Sequence, residues 1–146
     1  MVSRKYHLLL SFSGALVSID QLTKFSVSAS LREGESLSLG IPFFQLTLIK
    51  NHGAIFGIFG DLSPHLRDPI FLFVPLLTLL LIVAFYFKLS ERLPFAIFSF
   101  CLIIGGALGN LLDRLRLGYV VDFLDFHWRQ QHHFPAFNVA DLSISI

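Results

Sequence analysis

Two long, uncharged, apolar runs constrain this chain more than any other feature. The first extends from Pro69 to Phe87 and the second from Leu93 to Leu112, and neither contains a charged residue. An α-helix needs about 20 predominantly apolar residues to cross the hydrocarbon core of a bilayer. Each run therefore predicts a membrane span, and the short connection between them predicts that the two helices are antiparallel neighbours.

The composition places the rest of the chain in the same class. Of its 146 residues, 54% are hydrophobic and only 14% are charged, whereas a soluble domain carries about 25% charged residues. The net charge of +1 gives no reason to expect nucleic-acid binding. A single cysteine, Cys101, allows no internal disulfide and no cysteine-rich metal site. We expect one α-helical domain that is integral to a membrane.

A further span is predicted over residues 6–31. It begins like a secretory signal, with Arg4 and Lys5 before an apolar stretch, but Asp20 and Lys24 interrupt the approach to a possible cleavage site. We expect a span that is retained, with a cleaved signal as the alternative. Asp20 and Lys24 are four residues apart on one helix face, so Lys24 is expected to neutralise Asp20.

The last apolar segment begins near Phe134 and ends at Ile146. Its length of about 13 residues gives roughly 20 Å of helix, which is too short to cross. Either the chain is truncated relative to its natural length or this helix is incomplete. The predicted spans are then residues 6–31, 69–88, 93–113 and 134–146. The two predicted connections outside the membrane are residues 32–68 and 114–133. One or two short strands are plausible between Ser36 and Ile49.

Alternating crossings bring most of the polar residues to one side of the membrane. Asp20 lies in the far half of the first span, Asn110 and Asp113 end the third, and Asn138 and Asp141 begin the fourth. These positions meet at the same leaflet whichever way the protein is oriented. The distribution of Lys and Arg supports a cytoplasmic N-terminus only weakly.

Asp122 and Asp141 are candidates for a catalytic pair because neither has a cation nearby in sequence. Two facing carboxyl groups cannot both ionise at low cost, so one shared proton leaves one acid and one base. The ionised member activates a water, and the protonated member polarises a scissile carbonyl. Asn110 and Asn138 could orient the pair or the substrate. From the residues alone, a structural role for the two carboxylates is equally supported.

Other polar groups have simpler interpretations. Arg114 is expected to neutralise Asp113 at a helix end, and Asp125 is expected to be a solvated carboxylate. A histidine cluster lacks the carboxylate or cysteine spacing of a metal site, so we expect no metal there; its members are His127, His132 and His133. No serine-nucleophile motif and no nucleotide-binding glycine motif occurs in the chain.

Four segments in order resemble the bacterial lipoprotein signal peptidases, the signal peptidase II family. They are Asp20–Lys24, Asn51–Phe56, Gly105–Phe126 and Phe137–Asp141, and together they extend over nearly the whole chain. The resemblance implies an intramembrane aspartic protease, a bundle of four transmembrane helices (the fourth incomplete here) with a small extracytoplasmic β-cradle. It also implies that the enzyme removes the signal peptide from diacylglyceryl-modified prolipoproteins, cutting before the lipidated cysteine.

The resemblance implies roles for individual residues. Asp122 and Asp141 match the catalytic pair, and Asp20 and Lys24 match a structural motif. The residues that match substrate-binding or supporting positions are Asn51, Asn110, Asp113, Arg114, Asn138 and Ala140. No metal or organic cofactor is implied. The expected partners are prolipoprotein substrates, membrane lipid and globomycin-type inhibitors, and the expected form is a monomer in the bacterial inner membrane. Its active site is expected near the extracytoplasmic leaflet.

Two other classes of function remain open from the sequence. A small transporter or proton relay would use the buried carboxylates as a polar pathway; these are Asp20, Asp113, Asp122 and Asp141. Transporters usually carry internal repeats and broken helices in both halves, and the sequence has neither. A structural subunit of a larger complex would tolerate substitution of these aspartates.

Overall fold

Two long helices pack against each other in the computed structural model, which describes residues 3–53, 63–128 and 132–146. Helix α3 is Pro64–Lys88 and helix α4 is Pro94–Leu117. Within the described ranges, these two helices are long and apolar enough to cross a membrane by length and composition. Ala54, Ile55 and Phe56 of the second resembling segment lie outside the described residues.

Both long helices extend beyond the predicted spans. Helix α3 begins five residues before Pro69, because Pro64 occupies a first-turn position where its missing N–H is not needed. Helix α4 continues to Leu117 and ends at Gly118, whose φ of 79° is left-handed. Asp113 and Arg114 therefore lie inside the last turns of α4 and not beyond its end.

The first helix is continuous but not uniform. It consists of α1 (Arg4–Leu8), a π-helical turn (Leu9–Ser13) and α2 (Gly14–Ser30). The π turn lies at a close approach to α4, where a Cβ on Gly105 would meet the Cα of Ser13 at 3.1 Å. The Ser13 hydroxyl donates to the Cys101 carbonyl oxygen at 2.7 Å. The two helices are thus in contact at the backbone level.

Lys5 attaches the other end of the first helix. Its side chain is 8% exposed, and Nζ donates to the carbonyl oxygens of Phe87 and Leu89, each at 3.0 Å. These carbonyls end α3, where the helix dipole favours a cation. The buried Tyr86 hydroxyl donates to the Lys5 carbonyl oxygen. The first helix is therefore held to α3 at this end and to α4 along its length.

A small antiparallel sheet lies beyond the helices. Its strands are β1 (Ser36–Ser38), β2 (Phe44–Asn51), β3 (Val120–Trp128) and β4 (His132–His133), in that spatial order. Phe44 pairs with Phe126 and Ile49 pairs with Asp122, with an irregularity in β2 between them. The expected strands between Ser36 and Ile49 are present, whereas β3 falls in a segment that was predicted only as a connection.

The last helix, α5, is short and spans Val139–Ser145. The residues before it are not helical, although the predicted span began at Phe134. Phe137 instead forms a bridge with Leu124 of β3, and its carbonyl oxygen accepts from the Leu124 N–H at 2.8 Å. The chain thus enters α5 from the edge of the sheet, and this fixes the position of the first helical turn.

Two apolar clusters hold these elements together. One joins the helices and is formed by Leu79, Tyr86, Ile97, Cys101, Ile104 and Leu111. The other lies where the sheet meets α2 and is formed by Val27, Leu48, Val121 and Phe123. Because Val121 and Phe123 are both buried, β3 is fixed on either side of Asp122.

Candidate active site

Strand β3 carries Asp122 into the interior. Its side chain is 2% exposed, and the buried residues Val121 and Phe123 precede and follow it. Asn51, at the end of β2, donates from Nδ2 to Asp122 Oδ2 at 2.8 Å. The Asn51 Oδ1 atom accepts from the Gly53 N–H at 3.0 Å, which sets the direction of the amide. One oxygen of the Asp122 carboxyl group is therefore held from the sheet.

The first turn of α5 fixes Asp141. Asn138 is the N-cap, and its Oδ1 accepts from the Asp141 N–H at 2.9 Å. In return, Asp141 Oδ2 accepts from the Asn138 N–H at 3.2 Å. This reciprocal arrangement is a capping box, which satisfies backbone donors at a helix start. Asp141 thus belongs to the local structure of the helix as well as to the cluster around Asp122.

Two asparagine amides join the carboxyl groups of Asp122 and Asp141. Asn138 Nδ2 donates to Asp122 Oδ1 at 2.7 Å and to Asn110 Oδ1 at 3.1 Å. Asn110 Nδ2 donates to Asp141 Oδ1 at 2.8 Å. The chain of bonds therefore runs from β3 through the α5 cap and α4 to α5. It brings the two aspartates, which are 19 residues apart in sequence, into one buried network.

Lys24 lies behind this network with two carboxylates. Its Nζ is 2.8 Å from Asp20 Oδ2, 2.9 Å from Asp113 Oδ2 and 2.9 Å from Asn110 Oδ1. The three charged side chains are nearly inaccessible to solvent. A buried ammonium group requires partners for its three donors, and these three oxygens supply them. We refer to Asp20, Lys24 and Asp113 as the ion triad.

The expected pairing of Asp113 with Arg114 is corrected by this triad. Asp113 is paired with Lys24, which comes from another helix. Arg114 instead donates to the Gly53 carbonyl oxygen at 3.4 Å, and its guanidinium carbon lies 5.3 Å from the centre of the Phe71 ring. The adjacency of Asp113 and Arg114 in the sequence gave no information about a partner for Asp113 from the first helix.

The prediction that Asp125 is solvated is wrong. Its side chain is buried, and it accepts from Gln45 at 2.8 Å, Thr47 at 2.9 Å and His133 Nδ1 at 2.9 Å. Burial alone would raise the pKa of Asp125, but hydrogen bonds from Gln45, His133 and Thr47 outweigh it, so the pKa is lowered. The partners come from other strands, and the sequence around Asp125 does not reveal them.

Glycines of α4 allow the first helix and α5 to approach. A Cβ on Gly109 would lie 2.6 Å from Asp20 Oδ2, and one on Gly106 would lie 2.5 Å from the Ala140 carbonyl oxygen. In the space that results, the Ala140 N–H donates to Asp20 Oδ1 at 3.0 Å. Ala140 is fully buried. The supporting position that Ala140 matches in the resemblance therefore has a steric basis, which is the close packing of these helices.

Gln21 belongs to the same cluster and was not singled out from the sequence. Its Nε2 donates to Asp113 Oδ1 at 2.9 Å and to the Gly109 carbonyl oxygen at 3.2 Å. Gln21 precedes Lys24 by three residues, so both lie on one helix face. This three-residue spacing was the sequence feature from which a contact of Gln21 with the cluster could have been predicted.

Burial also changes the proton affinity of Asp122. It raises the pKa of Asp122 to about 6; the hydrogen bond from Asn51 opposes the rise, the charge of Asp141 adds to it, and Asn138 and Lys24 oppose it. A carboxyl group with a pKa in this range is able to hold or release a proton near neutral pH. Asp122 therefore has the proton affinity that acid–base chemistry requires.

A cavity of about 280 Å³ lies at the N-terminal end of α3 and the C-terminal end of α4. Arg114 and His52 contribute to its walls together with Asp68, Phe71, Leu72 and Gly118. Among the described residues, no three His, Cys, Asp or Glu side chains form a group that could hold a metal ion. The side chain of His132 is outside the described part.

The chain is similar to a known protein family and to its members over most of its length. A family model described as Signal peptidase (SPase) II matches residues 12–146. The lipoprotein signal peptidase of Desulforapulum autotrophicum is 43% identical over 134 residues, which is 92% of this chain and 82% of that protein. The lipoprotein signal peptidase of Nitratidesulfovibrio vulgaris is 39% identical over 146 residues, which is 100% of this chain and 87% of that protein.

Solved structures of similar fold come from bacterial membrane enzymes. One superimposes with a TM-score of 0.82 at 31% identity, covering 94% of this chain and 84% of its own. Another superimposes with a TM-score of 0.79 at 32% identity, covering 94% of this chain and 80% of its own. The described fold is therefore shared with membrane-embedded enzymes over most of its length.

Proposed function

Because the chain belongs to the signal peptidase II family, we propose that it removes signal peptides from lipoproteins with Asp122 and Asp141 as a catalytic dyad. Family membership supports the protease activity and the lipoprotein substrate. The observation that carries the dyad is the hydrogen-bond path through Asn138 and Asn110 that joins the two buried carboxyl groups. Neither a polar transport pathway nor a structural subunit is favoured by a specific observation.

In the proposed mechanism, the dyad shares one proton. Asp122 holds it because burial raises the pKa of this carboxyl group to about 6. Asp141 is ionised and accepts a proton from water as the water oxygen bonds to the scissile carbonyl carbon. Asp122 donates its proton to the carbonyl oxygen, which gives a neutral diol. In this step Asp141 gains a proton while Asp122 loses one, so the net charge of the dyad does not change.

Collapse of the diol completes the hydrolysis. The carbon–nitrogen bond breaks, the leaving amine takes the proton that Asp141 accepted, and Asp122 recovers a proton from a diol hydroxyl. The dyad returns to its starting state, and water is the only co-reactant. Asn51, Asn110 and Asn138 are proposed to hold the carboxyl oxygens in place through the cycle.

The proposed substrate is a diacylglyceryl-modified prolipoprotein, cut before its lipidated cysteine. Arg114, beside the cavity at the outer helix ends, is proposed to contact it. Globomycin-type inhibitors are expected to compete for the same site. The enzyme is proposed to act as a monomer.

The proposed location is the bacterial inner membrane, with four helical passes, a sheet outside and the dyad near the extracytoplasmic leaflet. The two long apolar helices support membrane insertion. Exposed aromatic side chains suit the headgroup region: Phe126 and Trp128 of β3, and Phe43 in the turn before β2. The sheet and the dyad lie at the same end of the molecule, opposite Lys5.

The test is processing of a purified prolipoprotein, followed by its change in gel mobility. Asp122→Asn and Asp141→Asn should each reduce processing below a few per cent of wild type, because either change removes one member of the acid–base pair. Both variants should remain in the membrane fraction. Glu33→Gln is the matched control, since Glu33 is exposed on its side chain and pairs only with Lys50 among the described ion pairs. Substantial activity in either aspartate variant would overturn the dyad.

A further inference from the structure

Each proposed catalytic aspartate follows a residue whose backbone is held by the ion triad. The N–H of Val121, which precedes Asp122, donates to Asp113 Oδ2 at 3.1 Å. The N–H of Ala140, which precedes Asp141, donates to Asp20 Oδ1 at 3.0 Å. Strand and helix are therefore anchored one residue before each proposed catalytic side chain. Lys24 contacts both anchoring carboxylates.

Lys24 and Asn138 together set which way the Asn110 amide points, because both donate to Asn110 Oδ1, at 2.9 Å and 3.1 Å. An ammonium group only donates hydrogen bonds, so the atom of Asn110 that faces it must be the carbonyl oxygen. This settles an orientation that side-chain amides otherwise leave ambiguous. The amide nitrogen of Asn110 is then directed at Asp141, where it donates at 2.8 Å. The cation thus fixes a hydrogen bond on the ionised member of the dyad without touching it.

We propose that Lys24 is a positioning residue for the reaction: with Asp20 and Asp113 it anchors the backbone before both aspartates and orients Asn110 toward Asp141. This inference rests on the proposed function. Without the cation, the Asn110 oxygen keeps only the longer hydrogen bond from Asn138 Nδ2, at 3.1 Å, so the amide is held less firmly and can turn its oxygen toward Asp141. Two facing acceptors repel, so Asp141 would be driven to take up a proton and would cease to act as the base.

The charge of Lys24 also acts on Asp122. Burial is the main reason that the pKa of Asp122 is raised, and the Lys24 charge opposes that rise. The charged and hydrogen-bonding groups that face Asp122 come from every neighbouring element: Asn51 of β2, Lys24 of α2, Arg114 of α4, and Asn138 and Asp141 at the start of α5. Loss of Lys24 should therefore raise the pKa of Asp122, whereas loss of a merely structural lysine should leave it unchanged.

The decisive variant is Lys24→Met, which keeps the length of the side chain and removes its charge. Kinetics are measured on detergent-purified protein and normalised to the folded, monodisperse fraction. We expect kcat to fall by about 100-fold, because a small displacement of a catalytic group lowers the rate by about this factor. KM should change less than about two-fold, because a buried lysine makes no contact with substrate. The alkaline limb of kcat/KM should shift to higher pH.

A second variant distinguishes a loss of catalysis from a loss of folding. Lys24→Met alone leaves two buried carboxylates without their cation, so it is also combined with Asp113→Asn, which restores the net charge of the triad. The double variant should recover the amount of folded protein, because an asparagine oxygen still accepts from the Val121 N–H. Its kcat should stay low, because the Asn110 oxygen has still lost its ammonium donor. Recovery of wild-type kcat together with the folded protein would overturn the proposal.

Lys5→Met is the matched control. Lys5 is also a buried lysine of the first helix, but it bonds to carbonyls at the opposite end, about 28 Å away along the helix. We expect less folded protein, with kcat per folded molecule and the pH limb unchanged. An equal effect of Lys5→Met on kcat and on the pH limb would mean that any damage to the bundle suffices, and would overturn the role of Lys24.

Asp122→Asn in the same assay separates the two proposals. If Asp122→Asn retains activity, the dyad itself fails and Lys24 has nothing to position. If Asp122→Asn is inactive while Lys24→Met retains wild-type kcat and pH dependence, the proposed function stands and only the inference about Lys24 is overturned.

Discussion

At the scale of single residues, Asn138 combines a structural task with a proposed chemical one. Its side-chain oxygen caps α5 by accepting from the Asp141 N–H, while its amide nitrogen donates to Asp122 and Asn110. It is fully buried. A capping oxygen and a bridging amide are both required, and asparagine supplies them in one side chain. The sequence predicted a supporting role here but could not separate the two contributions.

Substitutions at Asn138 should separate them. Asn138→Ala should lower stability by about 1 kcal/mol through loss of the cap, and should also abolish most processing activity. Asn138→Ser is the matched control because serine is also a favourable N-cap, yet it lacks the bridging amide. We expect thermal stability in detergent to recover in the serine variant while activity stays low. Recovery of both would show that Asn138 acts only as a cap.

The pH dependence of processing should depend on Asn51. In the wild type, kcat/KM should fall as pH rises through about 6, because the burial-raised pKa of Asp122 lies there and deprotonation removes the acid. The Asn51 hydrogen bond favours the ionised carboxylate, so Asn51→Ala should raise the pKa further and move the alkaline limb to higher pH. A pH–rate profile of purified enzyme checks this. A limb displaced to lower pH would contradict the assignment.

At the scale of elements, α4 determines the geometry because one of its faces carries small residues. Gly106 faces Ala140 and Ser143 of α5, and Gly109 faces Asp20 of the first helix. Side chains at these positions would hold the neighbouring helices apart and separate the ion triad. The close approach allows side chains from three helices and one strand to reach one another.

The packing of Gly109 gives a direct test. Gly109→Ala improves helix propensity by about 1 kcal/mol, but its Cβ would lie 2.6 Å from Asp20 Oδ2. We therefore expect reduced stability and reduced processing. Gly14→Ala is the matched control: no atom lies within 4 Å of the added Cβ, so the same substitution should raise thermal stability. Equal stabilisation of both variants would show that α4 can move away at no cost.

Predictability from sequence differs between these elements. The long helices could be predicted because an uncharged run of sufficient length has few alternatives. Strand β3 was missed because its residues 120–125, which include Asp122 and Asp125, are buried or half-buried on both faces, so no alternation of polar and apolar residues marks them. The non-helical entry to α5 depends on pairing between Phe137 and Leu124, which no local pattern encodes.

The same distinction holds for the site. Helix spacing predicted that Asp20 and Lys24 lie on one face, and the ion pair is present. The partnership of Lys24 with Asp113 joins two helices and depends on their relative rotation. The burial of Asp125 depends on neighbouring strands. The sequence indicates which residues are candidates for chemistry, but their partners from other elements depend on the tertiary structure.

At the scale of the whole molecule, the two ends of the bundle differ in character. Lys5 and Tyr86 form a small polar contact at one end: Lys5 donates to carbonyls at the end of α3, and Tyr86 donates to the Lys5 carbonyl oxygen. The ion triad and the proposed dyad occupy the other end, where the sheet covers them. The apolar cluster between the helices separates these two polar regions.

The order of synthesis gives the ion triad a further consequence. Asp20 and Lys24 pair within one helix, so their ion pair is complete as soon as that helix forms. Asp113 emerges roughly 90 residues later, which takes roughly 4–18 s at usual translation rates. During that interval the Lys24 ammonium and the Asp20 carboxylate already neutralise each other. Lys5 has no such local partner, because its acceptors, the carbonyls of Phe87 and Leu89, are also made much later, but it lies in the first turn of its helix. Two of the most deeply buried charges of the finished protein therefore have a counter-ion from the time their own helix is made.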